Sequence, residues 1–124
     1  MKNIIRQILV GCLLLFSASC YYDTAIEEEI DIPPPDQGIS FEESILPILN
    51  SYTCTQCHNG DRAPDLRPEN AYDALVPDFV VAGDADASVF FQRLPGKDHP
   101  SVGFSMTNSE IDLIEEWINR GAEE

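Results

Sequence analysis

The apolar positions of this chain are arranged first as a block and later at helical spacing. The block fills residues 8–16, behind Lys2 and Arg6 and ahead of Ser17-Ala18-Ser19-Cys20. A basic start, a short apolar run and small residues describe an export signal over 1–19, because the run is too short to span a bilayer comfortably and has no stop-transfer flank. Residues 21–37, YYDTAIEEEIDIPPPDQ, are acidic and then proline-rich. Pro33, Pro34 and Pro35 favour extended polyproline II and cannot feed a helix. Residues 20–37 are therefore expected to be an unstructured, semi-rigid tether ahead of a folded domain over 38–124.

From Gly38 onward helical spacing takes over. Ser40-Phe41-Glu42-Glu43 reads as a capping box, and Phe41, Ile45, Ile48 and Leu49 follow on one face, which predicts a first helix that delivers the chain to Cys54. Pro47 is expected to kink it, since its ring meets the carbonyl four residues back. Asn59-Gly60-Asp61 marks a turn, residues 69–76 a short helix, and Gly83-Asp84 a break. Asp86 is the expected cap of a helix over 87–94, with Val89, Phe90 and Leu94 as its apolar stripe. Thr107-Asn108-Ser109-Glu110 opens the last helix, in which Ile111, Ile114 and Ile118 share a face beside Leu113 and Trp117, with Gly121 as the stop. No convincing run of alternating strands intervenes, so the expected fold class is all-α.

Charge and cysteine usage narrow the partners. Lysine and arginine number 7 against 22 aspartates and glutamates, a formal charge of −15, which falls to about −17 if Lys2 and Arg6 leave with the leader. Such a surface repels nucleic acid and anionic headgroups and steers basic partners, although it equally serves solubility. Cys12 goes with the leader. Cys20, directly after small residues, resembles the cysteine of a bacterial lipobox, which is lipidated and becomes the mature N-terminus. Leu9-Val10-Gly11-Cys12 fits that pattern better letter by letter but would leave almost no apolar run, which favours Cys20. An ordinary secretory signal cut nearby is the alternative.

Cys54-Thr55-Gln56-Cys57-His58 carries the chemistry. Two thiols three residues apart can add to the two vinyl groups of a haem, and the imidazole that follows is then held against the iron. A structural zinc site would need four ligands from spaced pairs, and outside the leader only Cys54, Cys57, His58 and His99 are available. A thioredoxin-like dithiol belongs to a βαβ pattern and has no use for the trailing histidine. A disulfide across two residues would close a small, strained loop. The expected cofactor is therefore haem c, bound through Cys54 and Cys57 with His58 as the proximal iron ligand.

In order along the chain stand Pro47-Ile48-Leu49, the haem motif, Asp65-Leu66-Arg67, Gly83-Asp84 with Ser88, Arg93-Leu94, and Thr107 through a final Trp117-Ile118 and Gly121-Ala122. This succession resembles the planctomycete-type cytochrome c domain over nearly all of the folded region. The resemblance implies a small class I-like haem fold and electron transfer. It also implies a distal ligand, because the family places a Met-Pro about eight residues before the cap of the last helix. Here that position is His99-Pro100, while Met106 stands directly before the cap, where a hydrophobic staple onto Ile111 is common. His99 is thus the favoured distal ligand and Met106 the alternative, with an open sixth position as the third case. The reading is a lipid-anchored, exported monohaem cytochrome that passes single electrons between redox proteins and is not an enzyme. Its rivals are a haem enzyme or sensor acting on peroxide or a small gas, and a relay subunit of a larger membrane oxidoreductase complex.

Overall fold

The computed structural model describes residues 30–100 and 102–124, so the expected leader, Cys12 and the expected lipid site Cys20 lie outside the described residues. Among the described residues there are four α-helices and no strand, only one isolated bridge between Val81 and Asp84. The all-α expectation holds.

The first predicted helix forms in two parts. Ser40 caps it, its hydroxyl accepting the Glu43 N–H at 3.3 Å, but only this half of the expected capping box is found. The chain then makes a wide π-helical turn, Phe41–Ile45, in which the Leu46 N–H reaches the Phe41 carbonyl, and runs straight into α1, Leu46–Ser51. Pro47 explains the change of pitch. It falls in the first turn of α1, where a missing N–H leaves no intrahelical bond unmade, so the irregular geometry is confined to the turn before it. After Tyr52, Thr53 adopts a left-handed backbone (φ 53°), which is costly for a β-branched residue and ends the helix abruptly.

Helix α2, Ala71–Leu75, and helix α3, Val89–Gln92, are shorter than the periodicity predicts. Asp86 does not cap α3. Ser88 takes the cap position but is wholly buried, its hydroxyl accepting the Val81 N–H at 2.9 Å and donating to the Asp84 carbonyl at 2.8 Å. Asp84 instead receives the Ala87 N–H on its side chain at 3.0 Å. Gly83 (φ +87°) lets its N–H turn back to the Ile118 carbonyl at 2.8 Å.

Helix α4, Asn108–Asn119, is the centre of the core. Its capping box is complete: Thr107 accepts the Glu110 N–H, and the Glu110 carboxylate accepts the Thr107 N–H at 2.8 Å. Leu113, Ile114, Trp117 and Ile118 are buried, whereas Ile111 is only half-buried. Trp117 packs on Phe41 (5.3 Å between centroids), and Phe41 meets Tyr72 edge-on at 5.5 Å. The indole N–H of Trp117 and the Phe41 N–H both donate to the Glu123 carbonyl, at 2.8 and 3.2 Å, fastening the C-terminus across the first helix.

The stretch expected to be a spacer is, over residues 30–37, part of the folded surface. Ile30 and Ile32 pack against the core. Arg120, just past α4, donates from its guanidinium to the carbonyls of Pro33, Pro34 and Gln37 at 3.0, 3.1 and 3.1 Å, while its Nε holds Glu116 at 2.9 Å.

Candidate functional site

Tyr52 fixes the approach to the cysteines. Its hydroxyl donates to the Glu110 carboxylate at 2.6 Å, joining the end of the first helix to the capping box of α4. Burial, reinforced by that carboxylate, pushes the Tyr52 hydroxyl up to about 12, so it stays a donor. Phe104, 41% exposed, stacks on the Tyr52 ring at 5.3 Å. The reversal at Thr53 then winds the chain into a single 3₁₀ turn, Cys54–Gln56. The N–H groups of Cys57 and His58 both donate to the Cys54 carbonyl, at 3.2 and 3.0 Å, so two thiols and an imidazole are presented from one tight turn.

The two thiols differ. Cys54 is half-buried against the core and Cys57 is exposed. Burial, followed by the neighbouring Cys57, pushes the Cys54 thiol up and keeps it neutral. An attacking redox thiol needs the opposite shift, toward thiolate.

His58 is gripped twice by the loop that follows it. Its Nδ1 lies 3.1 Å from the Pro64 carbonyl, and its own carbonyl receives the Leu66 N–H at 2.8 Å. A carbonyl can only accept, so Nδ1 carries a proton and Nε2 is the nitrogen that can offer a lone pair when the ring is neutral. His99 repeats the arrangement with Nδ1 at 2.8 Å from the Pro100 carbonyl. The segment before it is tied to α3: the Asp98 N–H reaches the Gln92 carbonyl, Arg93 donates to the Asp98 carbonyl, and Lys97 sits 3.3 Å over the Phe91 ring.

The two imidazoles converge, with centroids 6.3 Å apart and planes inclined at 65°. Metal-ligating histidines characteristically donate the other ring N–H to a carbonyl or carboxylate, as both do here. The chemistry of the donor set, two thiols on one turn and two imidazoles that meet edge to face, is of the kind a haem would use. Among the described residues no three of His, Cys, Asp and Glu are grouped to hold an ion, and a porphyrin, which brings four nitrogens of its own, asks the protein for only two ligands. Met106 lies in the hydrophobic core, 5% exposed, with its N–H on the Pro95 carbonyl at 3.1 Å.

Sequence reasoning missed the carbonyl partners of both histidines, the Tyr52 bond to Glu110 and the Phe104 stack. Pro100, directly after His99, was the one visible signal among them. Comparison with protein-family models, with curated proteins and with solved structures finds no match to this chain.

Proposed function

We propose that this protein is a membrane-anchored c-type cytochrome of the planctomycete-type class, a single-electron carrier with one covalently held haem. The observation that supports this best is the pairing of His58 and His99 across 6.3 Å, each with Nδ1–H on a prolyl carbonyl, beside the Cys54 to Cys57 turn. When bound, haem iron supplies a reversible one-electron change. Cys54 and Cys57 would hold the group by thioethers: each thiol adds its sulfur to one vinyl carbon and its hydrogen to the other, which requires no oxidant. His58, together with His99, would hold the iron through Nε2, and Met106 would serve as packing. The acidic surface would steer a basic redox partner and disfavour nucleic acid. Export and lipidation at Cys20 would hold the domain on the outer face of a membrane.

Thioether attachment is tested by extraction. Haem is expected to stay with the polypeptide through denaturation and acid acetone, and Cys54→Ala with Cys57→Ala is expected to abolish this. Haem that extracts freely from the unaltered chain would refute the proposal. For the anchor, Cys20→Ala is expected to remove metabolic fatty-acid label and to leave precursor or a soluble form. Label that survives Cys20→Ala and disappears in Cys12→Ala would move the lipid to Cys12.

A further inference from the structure

The loop from His58 to Leu66 has little apolar material to hold it. Residues 59–63 are exposed, and Leu66 alone enters the core. Yet this loop carries both contacts that orient His58, the Pro64 carbonyl on Nδ1 and the Leu66 N–H on the backbone carbonyl. Asp65 stands between those two residues and touches His58 with neither oxygen. Its carboxylate instead gathers four donor groups: the Arg67 backbone N–H at 3.2 Å, the guanidinium Nε at 2.9 Å and Nη2 at 2.5 Å, and the Asn70 amide at 2.8 Å. The guanidinium also covers the outgoing leg of the loop, since a methyl group built on Gly60 would meet Nη2 at 3.1 Å. Arg67 therefore clasps the loop on both sides, and Asn70 ties the clasp to the start of α2.

Exposed ion pairs usually contribute little, but the exception is a bidentate pair locked into a network, which is the geometry here. We propose that Asp65, acting through Arg67 and Asn70, is the positioning residue for His58. It sets the Pro64 carbonyl against Nδ1–H and thereby fixes which nitrogen of the ring is left free. A firmly held ring N–H makes the opposite nitrogen a stronger donor. The further consequence, that Asp65 holds down the redox potential by favouring oxidised iron, rests on the cytochrome reading above. The positioning itself does not.

The test uses the full chain, haem-free and haem-loaded, with ¹⁵N-labelled histidine. In the haem-free protein the ratio of Nδ1–H to Nε2–H tautomer at His58, read from the ring nitrogen shifts, is expected to fall roughly tenfold in Asp65→Ala, as befits one loosened hydrogen bond. Arg67→Lys, which keeps the charge and loses the fork, should fall between. Asp61→Ala, an exposed carboxylate on the same loop, should match the unaltered chain. In the haem-loaded protein the midpoint potential should rise in Asp65→Ala while the iron stays six-coordinate. A His58 tautomer ratio unmoved by Asp65→Ala, with helical circular dichroism intact, overturns the proposal; if that variant does not fold, an unmoved ratio in Arg67→Lys does so. A shifted tautomer with an unmoved potential overturns the effect on iron alone. A chain that takes up no haem overturns the cytochrome reading and leaves the tautomer result to judge Asp65.

Discussion

On the cytochrome function proposed above, His99→Ala is expected to convert a six-coordinate iron that ignores carbon monoxide into one that binds it, and to do so without unfolding the domain. His99 is partly exposed on a loop fastened through Asp98 to α3, and its ring is held by the neighbouring Pro100 carbonyl, so its removal should cost the fold little. The oxidised unaltered protein should lack the weak near-infrared sulfur-to-iron band that thioether ligation produces. Its potential should also lie below that of a comparable His/Met site, because methionine ligation raises it. Met106→Leu provides the contrast. Met106 is buried, and exchanging it for leucine nearly conserves volume, so the expected cost is below about 1.5 kcal/mol with the spectrum unchanged. Absorption spectra of the three proteins, oxidised and reduced, with and without carbon monoxide, decide the matter. A sulfur band that vanishes in Met106→Leu while His99→Ala stays inert would transfer the ligand to Met106. Carbon monoxide binding by the unaltered chain would leave the sixth position open and revive the catalytic reading.

Trp117→Ala should be the most destabilising single change in the core. The side chain is wholly buried, lies against Phe41 and gives its indole N–H to the Glu123 carbonyl. Truncating a buried aromatic of this size costs about 3–5 kcal/mol, transfer and cavity together. Small domains have only about 5–15 kcal/mol to lose, and below a hundred residues each kcal/mol moves the melting temperature by about 4–8 °C. A fall of about 12–40 °C is therefore expected in a thermal melt followed by circular dichroism. Trp117→Phe should cost much less. It preserves most of the apolar bulk, and the Glu123 carbonyl keeps the Phe41 N–H as a partner. A melting temperature for Trp117→Ala within a few degrees of the unaltered protein would mean that the core does not close around this ring.

What could be read in the sequence was local. Thr107 and Glu110 are three residues apart, and their reciprocal bonds follow from that spacing alone, so the start of α4 was legible. Ser40 and Glu43 have the same spacing, but the wide turn imposed upstream of Pro47 is accompanied by only one of the two bonds. Asp86 looked like a cap because an acidic residue preceded an apolar stripe. Burial of Ser88 shifted the helix start and handed the neighbouring N–H to Asp84. At the candidate site the thiols and His58 were legible as a motif, and a resemblance singled out His99. That the two rings meet edge-on depends on loop paths no periodicity encodes, as do the carbonyls of Pro64 and Pro100. The contact least visible in advance was Arg120 on the proline turn, more than eighty residues away in the chain.

That clasp determines where a leash would pull. Tyr52, two residues before Cys54, is bound to Glu110 at the first turn of α4, whereas Pro33 and Pro34 are bound to Arg120 at its far end. A twelve-residue helix is about 18 Å long. Tension arriving along the chain ahead of Ile30 would be borne first by the packing of Ile30 and Ile32 and then by the guanidinium of Arg120 at the C-terminal end of the helix, with the thiol-bearing turn at the opposite pole. Were the chain ahead of Ile30 held at a surface, the turn that bears Cys54 and Cys57 would lie at the end of the helix away from the mooring.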